Sequence, residues 1–171
     1  MKVFLINGAP TAGKTTFERL VRKNSEQNCY LLSTIDYIKE VAYTLGWNGE
    51  KTDKDRKFLS NLKDLLTEWN NSPKNRIMLQ VMDVTLRDPN AIIFIDCREP
   101  DEIEDWCLRL NAQSVIVRNT KAENKGASNH ADAEVLNYDY DIIIDNNGTL
   151  DDLEESALTF LENFVKENPV E

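Results

Sequence analysis

The sequence predicts a three-layer α/β fold in which a five-stranded parallel sheet lies between helices. Short apolar runs alternate with helical patterns along the 171 residues, and parallel sheets require this alternation because a helix usually makes each crossover. A glycine-rich stretch, residues 8–15, directly follows the first apolar run, and Asp96 closes another such run. Both features are typical of a sheet that binds its ligand beyond the carboxyl ends of its strands.

Residues 8–15 read GAPTAGKT and fit the pattern G-x-x-x-x-G-K-[ST] of a phosphate-binding P-loop. Glycines allow backbone N–H groups to turn towards a phosphate, and the following helix adds a positive N-terminal dipole. We expect Lys14 to contact the β and γ phosphates of ATP and the Thr15 hydroxyl to bind Mg²⁺. The predicted ATP-binding residues are Gly8, Ala12, Gly13, Lys14, Thr15 and Thr16. The alternative, a glycine-rich turn with a surface lysine, is disfavoured by the preceding strand.

Composition limits the classes of function. With 41% hydrophobic residues, the chain can form one domain with a substantial core. No apolar stretch approaches ~18 residues, so we expect no membrane partner. The net charge of −10 argues against a polymeric nucleic-acid partner, and a homodimer is possible. The three cysteines have no metal-ligand spacing and indicate reduced thiols in a cytoplasmic protein.

Charge is distributed unevenly along the chain. Residues 1–87 contain 14 Lys+Arg and 10 Asp+Glu, a net charge of +4, whereas residues 88–171 contain 6 and 20, a net charge of −14. Cationic side chains that bind anions should therefore come mostly from the first half. The acidic second half is compatible with a simple solubilising surface.

The first half continues with a helix over residues 14–24, a buried strand over 29–33 and a helix over 37–45, which Gly46 ends. Asp36 is thereby placed at the carboxyl end of the second strand, where ligands bind in such sheets. A functional role and simple helix capping are equally compatible with this position.

Two helices without an intervening strand follow. A T-x-x-D capping box at Thr52 and Asp55 begins the first helix, and Ser72-Pro73 begins the second. In the first helix one apolar stripe is predicted, formed by Phe58, Leu59, Leu62, Leu65, Leu66 and Trp69. The second helix is apolar except for one line of polar residues, namely Arg76, Gln80, Asp83 and Arg87. This polar line could face a substrate cleft and read a polar base, or it could simply face solvent.

The apolar strand 91–96 ends in Asp96 and is typical of a Walker B strand, whose acid organises Mg²⁺ through water or accepts a hydrogen bond from Thr15. Arg98 follows two residues later and should project over the cleft. A contact between Arg98 and a substrate phosphate is favoured over an incidental surface ion pair.

The last third contains two further strands, 114–117 and 141–145, and a final helix that a capping box at Thr149 and Asp152 begins and that extends to about residue 167. Between the strands, residues 119–130 contain no apolar side chain larger than alanine. Such a segment should not pack, so we predict a mobile loop that acts as a lid over the reacting phosphate. Arg118, Lys121 and Lys125 are its cations.

Together these residues resemble those of the bacteriophage deoxynucleoside monophosphate kinases, within the adenylate-kinase-like P-loop kinases. The resemblance extends over nearly the whole chain. The matching pieces are GAPTAGKT, Asp36 and Lys39 followed by LGWNGEKTDKDR, residues 95–102 (IDCREPDE), residues 130–134 (HADAE) and residues 147–149 (NGT).

The resemblance implies ATP- and Mg²⁺-dependent phosphorylation of a nucleoside monophosphate by a single domain, residues 1–171. Arg56 and Arg98 would lie near the acceptor phosphate, in a molecule with a helical acceptor-binding region (about 36–88) and a lid (about 118–131). The expected catalytic residues are Lys14, Arg98 and Arg118, and the expected metal-site residues are Thr15 and Asp96. The expected acceptor-binding residues are Asp36, Lys39, Arg56, Arg76, Gln80 and Arg98. A kinase of another small metabolite and a nucleotide-binding regulator with slow hydrolysis are the alternatives.

Overall fold

The computed structural model describes residues 1–97, 99–124 and 135–165. The strands are β1 (Lys2–Asn7), β2 (Cys29–Ser33), β3 (Ile92–Asp96), β4 (Gln113–Arg118) and β5 (Ile142–Asp145). The helices are α1 (Lys14–Asn24), α2 (Thr34–Thr44), α3 (Asp53–Asn70), α4 (Ser72–Arg87), α5 (Pro100–Leu110), α6 (Thr120–Glu123) and α7 (Leu150–Phe160), which a π-helical turn (Leu161–Val165) continues. The strands form one five-stranded sheet in the order β2-β3-β1-β4-β5. None of the described helices is long and apolar enough to cross a membrane.

The sheet is parallel, and its central strand β1 pairs with β3 on one side and β4 on the other. Almost all side chains of β1, β3 and β4 are buried, on both faces of the sheet, as expected of strands covered on both sides. The register places Ile6 beside Asp96, and the N–H of Cys97 donates to the Ile6 carbonyl at 3.2 Å. The acid at the end of β3 therefore lies beside the residues that lead into the P-loop.

Helices α1 and α7 cover one face of the sheet, where four phenylalanines meet. The ring of Phe160 from α7 lies edge-on to Phe4 of β1 and Phe17 of α1, with ring centroids 4.7 Å and 5.4 Å away. Helix α5 packs against β1 and β4, where the alternate side chains, among them Leu5, are buried. The three-layer α/β prediction is confirmed.

The chain divides into two compact units, one formed by Met1–Leu31 and Asp88–Glu171 and the other by Leu32–Arg87. In the second unit α2, α3 and α4 contact one another. Ile38, Ala42 and Leu62 are buried there, surrounded by partly buried apolar side chains. The predicted capping boxes at Thr52–Asp55 and Thr149–Asp152, one in each unit, are both present.

Helix α2 begins earlier than the sequence indicates. It begins at Thr34, immediately after β2, so Asp36 lies in the first turn of α2 and not in a loop at the strand end. Ile35 is partly buried against the cluster of Ile38 and Ala42, at helical spacing from both. Burial of Ile35 thus extends the helix towards the strand.

The predicted apolar stripe of α3 is only half buried. Leu62 is 8% exposed, and Leu59 and Leu66 pack beside it, at a spacing that forms one helix face. Phe58, Leu65 and Trp69 are exposed, Trp69 by 79%. Six apolar residues cover a wider arc of the helix than α2 can contact, so only part of the apolar stripe is buried.

Helix α4 is likewise buried on one face only. Pro73, Ile77, Val81 and Val84 form that face. Leu79, Met82 and Leu86 are exposed. The sequence suggests a helix that is buried everywhere except along its polar line, and the structure differs from this expectation. Solvent exposure therefore accounts for part of the polar line, including Asp83 and Arg87, which form an ion pair.

The segment that follows β4 forms a short helix that packs against other residues. Helix α6 begins at Thr120, and the Asn119 side chain caps it by accepting from the N–H of Ala122 at 3.0 Å. Ala122 is 6% exposed and packs against Ala9 and Ala12. An alanine suffices for burial here because it allows two backbones to approach closely, so the prediction that residues 119–124 cannot pack is wrong.

Candidate phosphate-binding site

The P-loop connects β1 to α1 and depends on backbone conformations that glycine allows. Gly8 and Gly13 have φ angles of 147° and 107°, and Thr11, with φ of 69°, is a non-glycine residue in the left-handed region. A Cβ atom on Gly8 would lie 2.5 Å from the carbonyl oxygen of Val117, and one on Gly13 would lie 2.2 Å from the amide nitrogen of Asn146. Gly8 is thus required by its φ angle and by the neighbouring backbone, and Gly13 by its φ angle.

Lys14 lies at the first position of α1, and its ammonium group folds back over the loop. It donates to the carbonyl of Gly8 at 2.6 Å and to that of Ala9 at 3.4 Å. Thr15 and Thr16, the next two predicted ATP-binding residues, are exposed. The ammonium, the hydroxyls and the helix N-terminus form an arrangement suited to binding an anion.

Asn7, the last residue of β1, holds the start of the loop. It is fully buried, and its side-chain oxygen accepts from the N–H of Gly8 at 2.8 Å. Its amide nitrogen donates to the Tyr140 hydroxyl at 2.7 Å, which in turn donates to the carbonyl of Val135 at 2.9 Å. Burial raises the pKa of Tyr140 to about 12, so the hydroxyl keeps its proton at neutral pH.

Three asparagines, Asn119, Asn146 and Asn147, form hydrogen bonds at the other end of the loop. Asn146 lies just after β5. Its side-chain amide donates to the carbonyl of Ala12 at 2.7 Å, and its backbone N–H donates to the carbonyl of Arg118 at 2.8 Å. The Asn119 side chain donates to the Asn146 carbonyl. The N–H of Thr120 donates to the Asn147 side chain at 2.8 Å. The loop, the end of β4 and the end of β5 are thus tied together.

Arg118, a predicted catalytic residue, forms an ion pair with Glu123 of α6. Its guanidinium donates to both carboxylate oxygens of Glu123, at 2.6 Å and 2.9 Å. This bidentate contact lowers the pKa of Glu123 and raises that of Arg118, so both groups are charged at neutral pH. Arg118 would have to exchange this carboxylate for a phosphate in order to act on a nucleotide.

Two acids come from the elements next to the loop, Asp96 at the end of β3 and Glu18 on α1. Oδ1 of Asp96 is buried and has no hydrogen-bond partner among the described residues. Glu18 of α1 is only 7% exposed. Burial, reinforced by the nearby Asp96 carboxylate, raises the pKa of Glu18 to about 7, against the opposing effect of Lys14 and Arg19. An unpaired, buried carboxylate oxygen is the donor type that Mg²⁺ prefers, so the residues present fit a magnesium ion held by Thr15 and Asp96.

The predicted acceptor-binding residues other than Arg98 lie in the second unit. Lys39 forms an ion pair of 2.9 Å with Asp36 on α2, and Arg76 of α4 approaches Glu40 of α2 at 3.9 Å. Gln80 follows Arg76 one turn along α4 and is half-buried. Arg56 lies in the first turn of α3, is exposed and forms no ion pair with another described residue. These side chains lie on all three helices of the unit.

Arg98 lies outside the described residues, as do residues 125–131 of the predicted lid, including Lys125. Several residues at the loop were missed by the sequence analysis, namely Asn7, Glu18, Asn119, Glu123, Tyr140 and Asn146. Asn7 carried a usable signal, because it closes an apolar strand as Asp96 does. Asn146 and Tyr140 carried none, since their partners lie more than 130 residues away.

Comparison with known proteins supports the same fold. No family model matches the chain. The chain is 28% identical over 142 residues to an adenylate kinase of Helicobacter pylori (strain G27), an alignment that covers 79% of this chain and 66% of that enzyme, just under two thirds of its length. It is also similar to the crystal structure of TT1252 from Thermus thermophilus, with a TM-score of 0.55, 18% identity, and coverage of 96% and 98% of the two chains.

A provisionally assigned kinase from Chloroflexus aurantiacus j-10-fl is similar at a TM-score of 0.51 and 13% identity, over 95% of this chain and 97% of that one. The fold and the loop together define the class: this chain has the adenylate-kinase-like P-loop kinase fold.

Proposed function

We propose that the protein transfers the γ-phosphoryl group of ATP to a nucleoside or deoxynucleoside monophosphate, with Mg²⁺, and yields the diphosphate. The geometry of residues 8–15 carries the proposal. A loop held at both ends by asparagines, with the Lys14 ammonium 2.6 Å from its first carbonyl, is preorganised for the β and γ phosphates. The similarity to an adenylate kinase supports a monophosphate as the acceptor.

The transfer requires little covalent work from the protein, because positioning and charge neutralisation account for most of the catalysis. Lys14 and the loop N–H groups would orient the phosphates of ATP. Thr15 and Asp96 would hold Mg²⁺, which neutralises charge on the transferred group when bound. Arg118, released from Glu123, would add a cation at the end of β4.

The residues that would bind the acceptor are the predicted ones, five of them on the helices of the second unit. Lys39, Arg56 and Arg76 supply cations for its phosphate, whereas Asp36 and Gln80 can hydrogen-bond a base or sugar. Residues 118–131 would serve as the lid, and α6 forms its first part. Arg98→Ala should then weaken acceptor binding roughly thirty- to a hundredfold, while the affinity for ATP alone hardly changes. Arg98→Lys should restore only part of that loss, because lysine lacks the planar fork of arginine.

An ADP-release assay with ATP, Mg²⁺ and a panel of ribo- and deoxynucleoside monophosphates tests the proposal. One or more of them should stimulate ADP release in the wild type and not in Lys14→Ala. ATP binding without stimulation by any monophosphate would contradict the proposal. The chain would then act on another small metabolite or serve as a nucleotide-binding regulator.

A further inference from the structure

Tyr140 is far from the P-loop in the sequence, yet a chain of three buried hydrogen bonds joins its hydroxyl to the loop. The hydroxyl donates to the carbonyl of Val135 at 2.9 Å and accepts from the amide nitrogen of Asn7 at 2.7 Å. The N–H of Gly8 donates to the side-chain oxygen of Asn7 at 2.8 Å. Tyr140 is 9% exposed and Asn7 is fully buried, so water does not readily replace these partners.

The direction of each hydrogen bond in this chain is fixed by its two ends. A carbonyl oxygen can only accept, so the single proton of the Tyr140 hydroxyl points to Val135 and the hydroxyl oxygen must accept from Asn7. A backbone N–H can only donate, so Gly8 requires the oxygen of Asn7 and not its nitrogen. Both ends therefore require the same orientation of the Asn7 amide. Without the hydroxyl, only the Gly8 end would still select this orientation.

The chain continues from Gly8 to Lys14. The carbonyl of Gly8 accepts from the Lys14 ammonium at 2.6 Å. A Cβ atom on Gly8 would lie 2.5 Å from the carbonyl oxygen of Val117, so the backbone of Gly8 also lies close against β4. Gly8 is thus held by Asn7 at its N–H and by Lys14 at its carbonyl. A shift of Gly8 would displace an acceptor of the ammonium that is expected to contact the β and γ phosphates.

We propose that Tyr140 is a positioning residue of the phosphate-binding loop, which orients the Asn7 amide and thereby fixes Gly8 and the ammonium of Lys14. Tyr140 would act through these residues and not by contact with the nucleotide. The inference rests on the proposed nucleotide site and adds to it a residue from the segment before β5. A loop that is already ordered loses less conformational freedom on binding, so the hydroxyl should contribute to the affinity for ATP.

The test compares Tyr140→Phe with the wild type, because phenylalanine keeps the ring and removes only the hydroxyl. Calorimetry with ATP and Mg²⁺, without any acceptor, should show binding weakened about three- to tenfold, in line with the net contribution of one hydrogen bond. Amide hydrogen exchange followed by NMR in the ligand-free protein should be faster at Gly8. A hydroxyl that only stabilises the fold would leave the ATP affinity of the folded variant unchanged.

Tyr138→Phe is the matched control. Its ring lies edge-on to that of Tyr140, with centroids 5.0 Å apart, and its hydroxyl is hydrogen-bonded to Ser114 of β4 and not to the loop. The variant removes a hydroxyl two residues away and should leave both the ATP affinity and the exchange at Gly8 within about twofold of the wild type, a difference below about 0.5 kcal/mol.

A double-mutant cycle with Lys14→Ala tests the route of the effect. Because Tyr140 acts through the ammonium of Lys14, the loss of ATP affinity caused by Tyr140→Phe should be smaller in a Lys14→Ala background than in the wild type. An equal loss in the two backgrounds would mean that the hydroxyl does not act through Lys14 and would overturn the proposal.

Unchanged ATP affinity in folded Tyr140→Phe overturns the proposal, and so does an equal loss in Tyr138→Phe. If Tyr140→Phe does not fold, the wild type alone decides, because the Gly8 N–H must exchange about tenfold or more slowly than that of the exposed Thr11 in the same loop, and equal rates overturn the proposal. A protein that binds ATP, shows the Tyr140 effect and phosphorylates no monophosphate would refute only the proposed function. A wild type that does not bind ATP would refute both.

Discussion

At the start of the P-loop, Asn7 occupies a buried position that needs one acceptor and one donor. Its oxygen satisfies the N–H of Gly8 and its nitrogen satisfies the hydroxyl of Tyr140. Aspartate would bring a charge into the core, and leucine would leave the Gly8 N–H without a partner. The Asn7 side chain therefore links the Tyr140 hydroxyl to the backbone at the start of the P-loop.

Tyr140→Phe removes the hydroxyl of this network and should lower the free energy of unfolding by about 1–3 kcal/mol, because a buried amide and a carbonyl lose their partner. Urea unfolding measures the change. Tyr30→Phe is the control, since its hydroxyl contacts Asp88 at a long 3.4 Å and is only part-buried. Equal losses in the two variants would mean that the buried network contributes no more than a surface contact.

Lys14→Ala should reduce phosphoryl transfer at least about a hundred- to a thousandfold, by analogy with the loss of one charge-stabilising donor. The loop should still form, because the side chains of Asn7 and Asn146 bind its backbone at both ends even when the contacts of Lys14 with the Gly8 and Ala9 carbonyls are lost. Steady-state kinetics and cooperative thermal unfolding are the measurements. Lys23→Ala, which removes an exposed lysine paired with Glu154, is the control. A turnover rate close to that of the wild type would contradict the kinase proposal.

Among the elements, α6 links the end of β4 to the P-loop. It has four residues, too few to be stable alone, so it depends on the Asn119 cap and on Ala122 packed against Ala9 and Ala12. Through the bidentate contact of Glu123 with Arg118 it also holds the arginine expected to meet the nucleotide. The packing of α6 beside the P-loop thus affects whether this cation is available.

Glu123→Gln removes one partner of that pair and should tighten ATP binding roughly three- to tenfold, because Arg118 no longer has to leave a carboxylate, whereas Arg118→Ala should weaken it. Calorimetry with ATP measures both changes. Asp105→Asn is the control, because it removes the carboxylate of a comparable pair with Arg109 on α5 and should leave ATP affinity unchanged. A loss of ATP affinity in Glu123→Gln would show that the pair supports the bound state. A tenfold change corresponds to about 1.4 kcal/mol.

Considered as a whole molecule, the chain has two compact units, and each contains one helix begun by a capping box. Hydrogen bonds from the threonine of each box lower the pKa of Asp55 and of Asp152 below the usual value of 3.8. A lowered folded-state pKa stabilises the protein above the unfolded value, and this stabilisation is lost as the pH falls through the folded pKa. Both boxes should therefore weaken below about pH 4.

Asp152→Asn and Asp55→Asn test this expectation in the two units separately. Each variant should be less stable than the wild type at pH 7, and the difference should shrink as the pH falls below 3.8, because the wild-type acid becomes protonated there. Urea unfolding at a series of pH values measures the difference. Asp139→Asn is the control, because Asp139 is exposed and its side chain forms no hydrogen bond or ion pair with another described residue. A difference independent of pH would mean that the charge of the acid is irrelevant to the cap.

Local patterns carried most of the fold. The P-loop and both capping boxes could be predicted because their signals lie within a few residues of chain, and the order of strands and helices could be predicted because each element has its own apolar pattern. Lys14, Thr15 and Asp96 were also identified from such local patterns, and their roles in a site stay predictions. The start of α2 was missed by three residues because Ile35 is buried by tertiary contacts, which override local signals.

Only the tertiary structure decided which side chains support the site and which apolar faces are covered. Helices α3 and α4 are apolar over a wider arc than their neighbours can contact, so the periodicity of the sequence could not show which apolar residues are buried. Asn146 donates to the Ala12 carbonyl across 134 residues, and Asn7 donates to the Tyr140 hydroxyl across 133. Chain order determined the P-loop itself, because its backbone and cations are contiguous. Packing determined what holds it in place, because the supporting groups meet only when the sheet brings the ends of its strands together.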